Sequence, residues 1–147
     1  LPEETLYIML AAKAGKPYAG YELLQSLLTS GLRFGAMDLF HRFEDPNGKG
    51  KILFSVASAS ESGTFEINKM GAFVGKGLMM FLRLSSHKDL LFAFDAMIDT
   101  AKQLIEDLVG DILDDQRKLL TSEKIEAMRK KVVEFEQKQL TGDLFDQ

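Results

Sequence analysis

Two groups of residues in this chain have types and spacing that chemistry could use. The adjacent carboxylates Asp114 and Asp115 could bind a divalent cation, but one acidic pair supplies too few of the oxygen ligands that such ions need. We interpret the pair as a turn that caps the following segment and forms an ion pair with Arg117. His41 could act as a general base, but no serine or cysteine nucleophile stands in a recognisable context beside it. We therefore predict a structural hydrogen-bonding role for His41 and no catalytic residue or metal site.

Charge and composition argue against further classes of function. The basic run at residues 129–131 is interspersed with glutamates, which is typical of a solvated helix face. The formal net charge is -4, whereas nucleic-acid binding depends on clustered lysine and arginine, so we predict no nucleic-acid partner. The absence of cysteine excludes disulfides, thiolate nucleophiles and cysteine-bound zinc. We expect no cofactor.

The elements that must position any site follow from hydrophobic periodicity and turn signals. With 147 residues the chain suffices for one domain with a core, and no apolar run approaches a membrane span. The predicted strands are residues 5–12, 37–43, 51–59, 77–84 and 111–113, with a hairpin turn at residues 45–48. The predicted helices start at Gly20, at the capping pattern of residues 86–89, and after Thr121. This order favours an α+β fold with a split β-α-β arrangement.

The strand at residues 77–84 is apolar on both of its faces, although a strand with one wet face normally alternates apolar and polar residues. Three helices are about enough to cover one face of a five- or six-stranded sheet, so the other face is left open. On the returning strand of the hairpin, Ile52, Phe54 and Val56 are predicted to face the core. The small residues Ala57 and Ala59 then fall on the open side.

Beside these small residues we expect Met79, Phe81 and Arg83, which together would make a shallow apolar floor suited to a short amphipathic peptide. The pattern alone also allows another interpretation, in which the face packs against the C-terminal tail or a second copy of the chain. A small-ligand-binding or enzymatic α+β domain that uses the same concavity, or a dimerisation module, is a further alternative.

Several short motifs resemble those of the C-terminal domain of ZipA, a bacterial division protein that binds FtsZ. They are Phe-Gly-x-Met at residues 34–37 followed by His41-Arg42, then Phe54-Ser55, Gly-Thr-Phe at residues 63–65, and Leu-Asp-Asp-Gln-Arg at residues 113–117. The similarity covers about residues 5–138. It implies a six-stranded, mainly antiparallel sheet with three helices on one face. We assign the domain to residues 1–138 and expect a flexible tail at residues 139–147, where the helical pattern is lost.

The resemblance also implies the partner, which is the C-terminal tail peptide of FtsZ held on the open face. It implies an inner-membrane protein whose N-terminal anchor, absent from this chain, tethers the domain on the cytoplasmic side. By position, Met37 and Phe81 match peptide-contacting residues of the family, and Ala57 matches a small floor residue. The remaining predicted site residues are Thr5, Tyr7, Leu39, Ala59, Glu61, Met79 and Arg83. Familiar members carry a larger apolar residue at position 59, a basic one at 61 and threonine at 79.

Overall fold

The fold was obtained as a computed structural model, which describes residues 4–85 and 89–145. Its strands are β1 (Glu4–Ala12), β2 (Tyr18–Ala19), β3 (Arg33–Gly35), β4 (Leu39–Phe43), β5 (Ile52–Ser58), β6 (Val74–Gly75), β7 (Gly77–Leu84) and β8 (Gly110–Leu113). Its helices are α1 (Gly20–Thr29), α2 (Leu90–Asp107) and α3 (Ser122–Phe145), and 3-10 turns occupy Ala36–Asp38 and Ile67–Ala72.

Six strands form one sheet in the order β3-β4-β5-β7-β1-β8, and every pairing within it is antiparallel over the described residues. The N-terminal strand β1 pairs with both β7 and β8, so two strands from later in the chain lie on either side of it. The prediction of an α+β fold with a six-stranded antiparallel sheet and three helices is confirmed.

One hydrophobic core lies between the helices and one face of the sheet. On β7 the alternate residues Leu78, Met80, Leu82 and Leu84 are at most 2% exposed, because a strand directs every second side chain to the same side. The helix α2 supplies its stripe at helical spacing, including Phe94, Met97 and Leu104. The strand predicted at residues 77–84 is therefore buried on its helical side only.

The hairpin differs from the prediction in one detail that affects the site. Ile52 is 39% exposed, whereas Leu53 is 3% exposed, so the prediction that Ile52 faces the core is wrong. The cause is a register shift, since Arg42 pairs with Phe54 but Phe43 pairs with Ile52. A bulge of this kind inserts an extra residue and reverses the facing pattern beyond it.

Hydrophobic periodicity did not predict the short strands β2, β3 and β6, and it placed the start of β4 too early. The three-residue strand β3 and the two-stranded sheet of β2 and β6 carry too few residues for a pattern. The strand predicted at residues 37–43 begins only at Leu39, because Ala36–Asp38 forms a 3-10 turn. Most of the predicted capping pattern at residues 86–89 lies outside the described residues. The N–H of Leu91, in the first turn of α2, donates to the Glu136 carboxylate of α3 at 2.8 Å.

The last helix begins where the sequence predicts it but extends farther than its apolar pattern indicates. Thr121 accepts a hydrogen bond from the N–H of Lys124 at 3.0 Å, as the predicted N-cap requires. The helix then continues through Phe145, beyond the point where its apolar periodicity stops. A flexible tail at residues 139–147 and a domain boundary at residue 138 stay predictions.

The acidic pair after β8 forms the predicted turn, with a different ionic partner. One Asp114 oxygen accepts hydrogen bonds from the N–H groups of Gln116 at 2.8 Å and Lys118 at 3.0 Å. Asp115 forms an ion pair with Lys124 at 3.1 Å, so the predicted ion pair with Arg117 is wrong. Arg117 instead takes a positive φ of 61° and donates its backbone N–H to the Asp114 carbonyl.

This turn gives the fold a specific acid sensitivity. The N–H of Lys118, then that of Gln116 and the nearby lysine charges, hold the pKa of Asp114 below its usual 3.8. A depressed folded-state pKa adds stability above the unfolded-state pKa, and this stability is lost as the pH falls through the folded-state pKa.

We therefore expect Asp114→Asn, which keeps the acceptor oxygen but removes the charge, to unfold at lower urea than the parent at about pH 7, with a smaller difference at about pH 3. Asp115→Asn is the matched control, because exposed ion pairs contribute little. A difference between Asp114→Asn and the parent that stays constant over this range would contradict the argument.

Candidate functional site

The face of the sheet opposite the helices, here called the open face, carries a row of side chains across four strands. Cross-strand pairing places Phe81 directly opposite both Tyr7 and Ser55, and places Ser55 opposite His41. Phe81 and Tyr7 are half-buried, whereas Ser55 and His41 are 7% and 3% exposed. The row therefore runs from two half-buried aromatic side chains to two buried polar ones.

A second row runs parallel to the first and is mainly apolar. Met79 lies opposite both Ala57 and Met9, and Met9 lies opposite Leu113. All four side chains are partly exposed. The expected neighbourhood of Met79 and Ala57 is thus present. Small and unbranched side chains in one row leave a shallow surface that can adapt to different shapes.

At one end of the open face, the turn Ala36–Asp38 presents Met37 to solvent. Met37 is 71% exposed and has φ 62° and ψ 17°, and Asp38 follows it with φ 57°. The left-handed region costs an ordinary residue about 1–2 kcal/mol, and such outliers concentrate at functional sites. The turn thus exposes the large apolar side chain of Met37 in a strained backbone conformation.

A cavity of about 330 Å³ lies between this turn and the end of β7. Four of the predicted site residues line it, namely Met37, Leu39, Phe81 and Arg83. His41 and Ser55 also line it, together with apolar side chains that include Ile52 and Leu53 at the bulge. The cavity is therefore apolar with a few polar groups, which is the usual make-up of a binding site.

The other six predicted residues lie outside the cavity lining. Thr5 is opposite Arg83 on β1, and Tyr7, Ala57 and Met79 belong to the two rows. Ala59 follows the end of β5, and its N–H donates to the Gly77 carbonyl at 3.1 Å. Glu61 lies in the exposed loop after β5, off the strands. The structure therefore brings nine of the ten onto the open face or its rim and places Glu61 farther out along the loop.

Sequence reasoning did not assign Met9 or Leu113 to this surface, and it did not predict the contact between His41 and Ser55. Met9 alternates with Thr5 and Tyr7 on β1 and therefore lies on the same face. This alternation could have predicted it from the sequence. Leu113 follows from the pairing of β1 with β8, which the sequence does not give. The link between His41 and Ser55, 2.7 Å from Nδ1 to Oγ, depends on the hairpin register.

The chain is similar in sequence to a known protein family. Residues 4–131 match the family described as ZipA, C-terminal FtsZ-binding domain. Proteins named cell division protein ZipA from Ectopseudomonas mendocina and Stutzerimonas stutzeri are each 42% identical over 139 residues, which cover 95% of this chain and 51% of each relative. That of Pseudomonas fluorescens SBW25 is also 42% identical, with 48% of its length covered.

The chain spans about half the length of these curated relatives. Within residues 4–85 and 89–145, no helix combines the length and apolar character needed to cross a membrane. The family match covers most of the chain, and the fold agrees with the one that the resemblance implied. The chain belongs to the family of C-terminal FtsZ-binding domains of the cell division protein ZipA.

Proposed function

We propose that this domain binds the C-terminal tail peptide of FtsZ on its open face, without catalysing a reaction. The observation that carries the proposal is the position of Phe81, half-buried between Tyr7 and Ser55 and lining a cavity whose other wall is the exposed Met37. Aromatic and methionine side chains around a concave surface are typical anchors for an amphipathic helix or a short peptide.

The size of the surface suits a modest affinity. Burial of an apolar anchor contributes roughly 1.5–3 kcal/mol, and a few hydrogen bonds add about 1 kcal/mol each. Ordering a flexible tail takes back roughly 2–5 kcal/mol. We expect a micromolar dissociation constant, near -8 kcal/mol.

Weak binding is sufficient for the wider role that we propose, which is to tether FtsZ polymers to the inner membrane and to stabilise the Z ring. A polymer offers one tail per subunit, and many membrane-attached copies of the domain can engage it together, so that avidity replaces affinity. In this proposal an N-terminal anchor in the remainder of the protein holds the domain on the cytoplasmic side of the membrane.

The direct test is a titration of the isotopically labelled chain with a synthetic peptide of the cognate FtsZ tail. We expect saturable amide shifts with a midpoint at micromolar concentration, concentrated on β4, β5, β7 and β1. A peptide of scrambled order is the control. Absence of saturation at hundreds of micromolar would count against the proposal, and shifts confined to the helices would place the partner elsewhere.

The contact between Ser55 and His41 favours a second candidate from another class, an enzymatic domain that uses the cavity. A serine within 2.7 Å of a histidine is the pair from which a nucleophile can be built. The other ring nitrogen of His41 is bonded to the Ala36 carbonyl, and Ser55 is almost completely buried. Labelling of Ser55 by a fluorophosphonate probe would favour the enzyme, and we expect none.

A further inference from the structure

The turn that presents Met37 has two consecutive non-glycine residues at positive φ, which is rare outside glycine. Such a turn persists only where its surroundings restrain it. The Ala36 carbonyl accepts a backbone bond from Leu39, and the Asp38 carbonyl accepts one from Phe65 at 2.9 Å. These two bonds close the turn and fasten its far side to the chain after β5.

A side chain from the floor of the cavity supplies the third restraint. Nε2 of His41 lies 2.8 Å from the Ala36 carbonyl oxygen. A carbonyl can only accept, so Nε2 carries the hydrogen. In the neutral ring Nδ1 is then the acceptor, and the Ser55 hydroxyl, 2.7 Å away, donates to it. The Ala36 carbonyl thereby selects the tautomer, and the Ser55 hydroxyl, which can donate or accept, satisfies Nδ1 and orients the ring.

We infer that His41, oriented by Ser55, is a positioning residue that holds Met37 in place for the partner peptide. His41 is 3% exposed, while Met37 is 71% exposed. The peptide would therefore contact Met37, and the buried His41 would act only through the turn. The inference rests on the proposed function for the contact between Met37 and the peptide. It adds that part of the affinity comes from preorganisation of the free domain, which lowers the entropy lost on binding.

Two substitutions of His41 distinguish the hydrogen bond to the Ala36 carbonyl from the mere presence of a polar side chain at this position. In His41→Gln the amide nitrogen reaches about as far from the backbone as Nε2, so the donor to the Ala36 carbonyl is kept. In His41→Asn the amide reaches only to the position of Nδ1, so contact with Ser55 is kept and the turn is released. Both variants place a neutral amide in the same buried site.

The first experiment needs no ligand. The methyl resonance of Met37 is followed in the free chain after selective labelling of methionine methyl groups. We expect His41→Asn to shift it toward the position of a disordered methionine, while His41→Gln leaves it near its original position. Ser55→Ala, which removes the hydrogen bond that orients the His41 ring at Nδ1, gives a smaller shift and replaces His41→Asn if that variant does not fold. An unchanged Met37 resonance in a folded His41→Asn or Ser55→Ala variant would overturn the inference.

The second experiment is a double-mutant cycle with the FtsZ tail peptide. We expect His41→Asn to weaken binding about fivefold in the parent and less than about twofold when Met37→Ala is also present, with His41→Gln close to the parent. Equal weakening in both backgrounds would show that His41 does not act through Met37. If the unmodified chain binds no peptide, the proposed function fails, and the methyl experiment still decides whether His41 holds the turn.

Discussion

Phe81→Ala is expected to weaken binding of the FtsZ tail peptide at least about 30-fold, because a buried aromatic anchor at the centre of an interface is typically worth 2 kcal/mol or more. Phe81 stands on the open face between Tyr7 and Ser55 and lines the cavity, so its removal deletes the main apolar contact. The side chain is only half-buried in the free chain. The melting temperature should therefore fall by no more than about 4 °C. Isothermal titration and differential scanning calorimetry measure the two quantities.

Phe94→Ala is the matched control, since Phe94 is completely buried on α2, on the other side of the sheet. Truncation of a core phenylalanine costs about 3–5 kcal/mol, so this variant should melt much earlier while its folded fraction binds the peptide with unchanged affinity. If Phe81→Ala destabilises the chain as much as Phe94→Ala does, then Phe81 belongs to the core and the open face is not a free surface.

The sequence was sufficient for those parts of the fold that depend on a regular pattern. The two-sided apolar strand at residues 77–84, the hairpin signal at residues 45–48 and the stripe of α2 all correspond to observed elements. Their alternation also predicted which residues face away from the helices. Phe81, Met79 and Ala57 lie on the same face because strand parity is a local property of the backbone.

The remainder depends on contacts between distant residues, which no local pattern encodes. The bulge opposite Phe43 leaves Ile52 exposed and Leu53 buried, and it depends on how β4 and β5 pair. The turn at Met37 was predicted as strand because its sequence carries no glycine to mark positive φ. The turn is held by the distant Phe65, whose N–H donates to the Asp38 carbonyl, and by the buried His41 side chain.

Met37→Gly is expected to make the chain more stable while weakening its binding of the tail peptide. Glycine removes the left-handed strain of about 1–2 kcal/mol, and the added freedom of the unfolded chain takes back about 0.4–1 kcal/mol. The net gain should raise the melting temperature by about 1–4 °C. Loss of the exposed thioether should lower the affinity about tenfold, which calorimetry and peptide titration can measure on the same sample.

Met37→Ala separates the two effects, because alanine removes the contact but keeps a Cβ atom in the strained backbone. It should bind as weakly as Met37→Gly and melt close to the parent, since the side chain that it removes is already 71% exposed. A Met37→Gly chain that is less stable than Met37→Ala would mean that the turn stores no strain. If both variants bind like the parent, Met37 lies outside the interface, and the strained display of a methionine at this position would need another partner.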